Sequence, residues 1–202
     1  MSDIAEQLDP EEAVEVAAEP EAEHALDSEA LARRDAALAH VRKFGDPILQ
    51  TKARAVKEFD EPLRAEIERM GMLMKDALGI GLAATQVGVL NRVLVYRAQE
   101  QAPVAALVNP EIEWRSSVEE TAEEGCLSLP EVHVDVERPV HIRVSARDGF
   151  GEPIVIEASG LEARVIQHEI DHLDGVLILK RTSREQRKEA MRALRESQQA
   201  RG

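Results

Sequence analysis

Residues 167–175 read Gln167-His168-Glu169-Ile170-Asp171-His172-Leu173-Asp174-Gly175. On a helix, His168 and His172 lie one turn apart and leave from the same face, close enough for two imidazole nitrogens to reach one ion. Glu169 sits beside them. This is the H-E-x-x-H pattern, in which two histidines bind a divalent metal and the glutamate handles protons for a metal-activated water. Two histidines and a glutamate also decorate solvated helix faces, so a third ligand has to decide between the readings. The extended pattern H-E-x-x-H-x-x-G-x-x-H is excluded: Gly175 falls on its glycine, but its last histidine position holds Ile178. Glu185, Glu189 and Glu196 lie downstream in a run of Arg, Lys, Gln and Glu that reads as an exposed amphipathic helix. The better candidate is upstream, in Glu124-Gly125-Cys126-Leu127-Ser128-Leu129-Pro130, around the only cysteine of the chain.

A chain of 202 residues with 44% apolar content can bury one good core. Aromatics make up 2%, so that core must be aliphatic. No apolar run approaches the ~18 residues of a membrane span, and no charged start precedes an apolar signal segment. These features point to the cytoplasm. A lone cysteine cannot form an internal disulfide, and a reducing compartment keeps it available as a thiolate ligand. The net charge of −14 is unevenly placed: residues 1–32 hold 11 acidic side chains and no Lys or Arg, leaving −3 for the rest. The segment 1–35 therefore reads as an acidic leader with too little bulky apolar content to offset the entropy of ordering. It would repel a phosphate backbone, and no nucleic-acid motif stands elsewhere.

Further along, residues 27–38 read as a short helix and Phe44-Gly45-Asp46-Pro47 as a turn. Leu63, Ile67, Met70, Leu73, Met74 and Leu78 recur at helical spacing, predicting an amphipathic helix over 61–78 capped near Asp60 and ended by Gly79. Met70, Met72 and Met74 are core filler rather than a soft-metal site. Gly79-Ile80-Gly81-Leu82-Ala83-Ala84-Thr85-Gln86-Val87-Gly88 lacks the third glycine or the Lys-Ser/Thr of a phosphate loop. Its small residues instead suit a groove that takes an extended peptide as an added strand, with Gln86 aimed into it. Strands are expected over 92–97, 105–108, 141–145, 153–158 and 176–179, with turns at Asn109-Pro110, Arg147-Asp148-Gly149 and Ser159-Gly160. The metal helix covers 161–174 and stops at Gly175. The fold class is α+β: mainly antiparallel, short-stranded sheets packed around a central metal-binding helix, with a C-terminal helix. It divides into the leader 1–35, a catalytic domain 36–182, and a helix and tail 183–202.

Three separated segments together resemble the bacterial peptide deformylases, which remove the formyl group from the initiator methionine of new proteins. Gly79 to Gln86 is similar to the family's G-x-G-L-A-A-x-Q, Glu124 to Leu129 to its E-G-C-L-S, and Gln167 to His172 to its Q-H-E-x-D-H. The resemblance implies Cys126, His168 and His172 as metal ligands and Glu169 as general acid/base. It further implies Gln86 and the Leu127 N–H as oxyanion donors, and Ile80, Gly81 and Gly125 as substrate-binding positions. It implies Fe(II), one ion per chain, with Zn(II), Ni(II) or Co(II) able to replace it in purified protein. Implied partners are N-formyl-methionyl nascent peptides and a transient ribosome contact, with no membrane and a monomeric state. His24, His40, His133 and His141 are expected to be structural. A zinc endopeptidase would share H-E-x-x-H but would need neither Cys126 nor the 79–86 segment. A catalytically dead binding protein is disfavoured by the intact Glu169.

Overall fold

The computed structural model describes residues 28–99 and 101–200. In chain order its helices and strands are α1 (Ser28–Ala39), α2 (Glu61–Asp76), β1 (Gly81–Ala83), β2 (Val93–Tyr96), β3 (Ala105–Arg115), β4 (Glu119–Cys126), β5 (Leu129–Pro139), β6 (His141–Arg147), β7 (Pro153–Ser159), α3 (Gly160–Leu173) and α4 (Arg184–Ala200). The acidic segment up to residue 27, with His24, lies outside the described residues. No helix among the described residues is long and apolar enough to cross a membrane.

Strand β2, Val-Leu-Val-Tyr, is buried at every position. Leu94 and Tyr96 pack into one cluster with Leu107, Ile142, Ile166 and Ile170, under α3. Val93 and Val95 pack into another with Leu63, Met70 and Met74 of α2. A strand covered on both faces needs apolar residues throughout instead of an alternation, and this text supplies them. The five-stranded sheet has the order β1-β2-β3-β6-β7, with every pairing antiparallel. A separate two-stranded sheet pairs β4 with β5. Its inner face meets Leu177, Ile178 and Leu179 and the Ala190 and Leu194 side chains of α4. The architecture is thus α+β, with α3 in the middle, as expected.

The β4–β5 hairpin is not among the expected strands. Its signal is the alternation of Val132, Val134 and Val136, all buried between exposed neighbours. In β4 the signal is hidden, because Glu119, Glu120, Glu123 and Glu124 read as loop. Three other expectations need correction. Residues 176–179 do not form a strand; Ile178–Lys180 is a 3-10 turn that buries the same apolar side chains. Helix α2 is capped by Asp60, whose carboxylate accepts the Leu63 N–H, but Leu78 and not Gly79 takes the left-handed turn at its end, with φ 57°. The Gly79 N–H then reaches the Met74 carbonyl and the Leu78 N–H that of Lys75. Met72 points away from the core and is 55% exposed, because it lies two residues from Met70 and Met74 and so on the opposite helix face.

Asn109-Pro110 is also not a turn between strands. It is a bulge inside β3, where the register with β6 slips between Val108 and Glu111. Asn109 has φ 54°, and its side-chain amide accepts from the Val56 N–H at 2.8 Å and donates to the Val56 carbonyl at 2.9 Å. Pro110 has no N–H to lose at the bulge, and its carbonyl accepts from Arg92 Nε and Nη2. Replacing Asn109 with Ala removes two hydrogen bonds and places a Cβ residue without local compensation in left-handed backbone, a cost of about 2–4 kcal/mol. Thermal unfolding should show a fall on the order of 10 °C. Asn109→Gly should lose less, since it keeps the backbone free of strain. Equal losses in the two variants would show that the backbone angle contributes nothing.

Candidate metal centre and active-site cleft

Helix α3 presents His168 and His172 from one face with ring centroids 5.0 Å apart. Strand β4 ends on Cys126, whose Sγ lies 3.2 Å from His172 Nε2. One ligand atom from each of the three residues lies within 4.8 Å of the others, a grouping among the described residues that could hold a metal ion. The hairpin thus brings the Cys126 thiol beside the two histidines of the helix motif. Ile178, at the position of a third zincin histidine, is buried in apolar surroundings.

Glu124 orients the His168 imidazole. Its Oε2 is 2.9 Å from His168 Nδ1, which leaves Nε2 as the ligating nitrogen of that ring. The same carboxylate accepts two hydrogen bonds from Arg138, at 2.6 and 2.9 Å, and one from Arg164 at 2.9 Å. Arg138 reaches on to Asp171 at 2.9 Å, and Asp171 also accepts from Arg181 Nε at 3.0 Å. Burial opposes the charge on Glu124, but the bonds from Arg138 and His168 hold its carboxyl down to about 2. Burial likewise opposes a charged ring at His168, yet Cys126 and Glu124 push it up to about 10. Burial alone would raise the Cys126 thiol, and the charges of His172 and His168 hold it well below the usual thiol range. A thiol held toward its thiolate form beside two imidazoles is a donor set a divalent cation can enter by displacing protons. The residues present fit such an ion.

Gln86 is 1% exposed. Its Oε1 accepts the Ala83 N–H at 2.8 Å, so the amide nitrogen must face the site, where it lies 3.4 Å from Ser128 Oγ and 3.9 Å from Cys126 Sγ. Leu127 sits in the turn between β4 and β5. That turn is stapled from outside: Lys43 Nζ donates to the Leu127 carbonyl at 3.0 Å and the Phe44 N–H to the Ser128 carbonyl at 2.9 Å. Glu169 is buried, and its Oε2 has no hydrogen-bond partner among the described residues. Burial raises its carboxyl, against the pull of His168 and His172. Gly81 explains how that carboxylate fits. A Cβ built at Gly81 would stand 2.3 Å from Glu169 Oε1 and 2.9 Å from its Cδ.

One cleft of about 480 Å³ is lined by Ile80, Gly81, Gln86, Gly125, Cys126, Leu127, His168 and Glu169. It gathers every sequence-predicted site residue except His172, which lies beneath the others at 1% exposure. His133 also lines it, and its ring would meet a Cβ at Gly125 at 3.1 Å. His141 bonds Ser159 Oγ at 2.8 Å, away from the cleft lining, and His40 faces a separate cleft between α1 and α2. The residues that sequence reasoning missed are the supporting ones: Glu124, Arg138, Asp171 and Ser128. For Arg138 a signal existed, since it occupies the next inward position after Val132, Val134 and Val136.

The family description Polypeptide deformylase matches residues 38–188. A peptide deformylase of Acidothermus cellulolyticus is 46% identical over 164 residues, covering 81% of this chain and 89% of the relative. Peptide deformylase 1 of Corynebacterium glutamicum is 47% identical over 163 residues, covering 80% and 96%. Among solved structures, the peptide deformylase from Thermotoga maritima superposes with a TM-score of 0.69 at 46% identity, covering 71% of this chain and 96% of that one. The enzyme from Synechococcus elongatus, in complex with actinonin, gives 0.73 at 43% identity, covering 76% and 85%. A likeness of this strength extends over the cleft-forming hairpin and helix as well as the scaffold, and the chain belongs to the polypeptide deformylase family.

Proposed function

We propose that this chain hydrolyses the formamide of N-formyl-methionyl peptides, giving formate and a free amino terminus. The observation that carries the reading is a buried carboxylate, Glu169, one of whose oxygens has no hydrogen-bond partner among the described residues, in the same cleft as a thiol and an imidazole of the Cys126, His168 and His172 group. Cys126, His168 and His172 hold the metal, and Fe(II) is the ion we assign on family resemblance, with Zn(II), Ni(II) and Co(II) as replacements. When bound, the ion supplies Lewis-acid polarisation and a water of lowered pKa. Gln86 Nε2 and the Leu127 N–H donate to the oxygen of the formyl group as it gains charge. Glu169 takes a proton from the attacking water and delivers it to the leaving nitrogen as the C–N bond breaks. The water oxygen ends in formate. Ile80, Gly81 and Gly125 flank the methionine and its main chain.

The wider assignments rest on the same reading. The catalytic unit is 36–182, the helix and tail 183–202 extend it, and α1 bridges the boundary with the acidic leader 1–35. The protein works as a cytoplasmic monomer and meets its substrates through transient ribosome contact.

Anaerobically purified protein should carry one iron per chain and release formate from formyl-Met peptides. Glu169→Gln should keep the metal and lose at least ~10²-fold in turnover, because it removes a proton carrier and no ligand. Loss of metal in that variant would make Glu169 structural. Gly81→Ala should fold and bind metal yet lose activity, since its methyl group displaces the Glu169 carboxylate; wild-type turnover would show that the carboxylate position does not matter. Gln86→Leu should lower kcat more than it raises KM, by roughly 2.7–4 kcal/mol in the barrier. A raised KM with normal kcat would reassign Gln86 to substrate binding.

A further inference from the structure

Helix α1 stands largely ahead of the family match, which begins at residue 38. It packs on α2 through its buried Ala37, and two of its side chains one turn apart, Arg34 and Leu38, line the cleft that holds Cys126, His168 and Glu169. The cleft has three Lys or Arg side chains in its lining: Arg34, Lys43 and Arg164. Arg164 is engaged by Glu124 and by the Val136 and Glu120 carbonyls, and Lys43 by the Leu127 carbonyl. The neighbouring Arg33 pairs with Glu29 at 2.8 Å. The Arg34 side chain has neither an ion pair nor a hydrogen bond among the described residues. The same cleft is lined by exposed apolar side chains, with Leu78, Ile80 and Leu161 between 47% and 54% exposed.

We infer that Arg34 reads a carboxylate side chain on the peptide at one position beyond the methionine, so that α1 forms a selectivity wall of the cleft. This rests on the deformylase reading above. A guanidinium offers a rigid fork of donors that matches a carboxylate, and the apolar rim lowers the screening of the pair. Two acidic side chains of the lining, Glu123 and Glu131, belong to the β4–β5 hairpin and disfavour acidic side chains near that wall. The acidic preference is therefore confined to one peptide position. A half-exposed pair formed equally in the ground and transition states acts through KM, at about two- to fivefold, and fades at high salt.

The test uses the full-length, metal-loaded protein and three peptide sets, formyl-Met-Xaa-Ala-Ala, formyl-Met-Ala-Xaa-Ala and formyl-Met-Ala-Ala-Xaa, with Xaa as Glu, Gln or Lys. At one position Glu should exceed Gln by about two- to fivefold in kcat/KM, through KM. Arg34→Gln should abolish the difference, Arg34→Lys should retain part of it, and Arg34→Glu should turn it toward Lys. A Glu/Gln ratio that is the same in wild type and Arg34→Gln, or near one at all three positions, overturns the inference. No formate release by wild type from any peptide overturns the deformylase reading itself, an outcome distinct from a flat preference among peptides that are turned over.

Discussion

Glu124 is where two distant pieces of the chain are made to agree. It lies in β4, two residues before the thiol, and accepts from His168 of α3, from Arg138 of β5 and from Arg164 of α3. Arg138 then crosses to Asp171, the residue before His172. One carboxylate and one guanidinium thus join hairpin to helix and fix the hairpin beside both histidines. Taking these charges out of water costs several kcal/mol each, and the mutual attraction offsets that cost only because the lone pairs and donors find partners. Apolar residues of similar volume would hold the two pieces together as well. They would not fix which nitrogen of His168 carries the proton, so the charged cluster serves position more than stability.

The scaffold behind the cluster does a separate job. The five-stranded sheet presses β1 and β2 between α2 and α3, so that the small residues of 79–86 stand against the helix bearing Glu169. Gly81 touches the carboxylate side directly, which no side chain at that position allows. Gln86 is turned by the Ala83 N–H in a 3-10 turn closed by Gly88 at φ 86°. Each chemical group is therefore aimed by backbone it does not itself choose.

Much of the site was legible in the sequence because its chemistry is local. Two histidines a helical turn apart announce themselves, a single cysteine has no disulfide to explain it, and Asp60 and Gly175 mark helix ends by type alone. Contacts that depend on register were not legible. Arg138 looks like a surface arginine until β5 is paired with β4 and its side chain is seen to share the face of three valines. Asn109-Pro110 carries turn chemistry, and only the partner Val56 shows that it bends a continuing strand. Residues 176–179 are apolar enough for a strand, but the nearby helix end and α4 already cover them. In each case a tertiary contact overrode a local preference.

The ionic seam also responds to heat differently from the apolar contacts around it. Ion hydration carries a strongly negative entropy, so the penalty for keeping Glu124, Arg138 and Asp171 from water shrinks on warming, while apolar stabilisation levels off. Helix α4 holds to the hairpin through the apolar side chains Ala190 and Leu194 and through Gln186, which bonds the Asp135 N–H and carboxylate at an exposed site. As temperature rises, the balance of stability moves inward. The buried charges of the seam gain relative weight on warming, and the apolar seat of α4 does not.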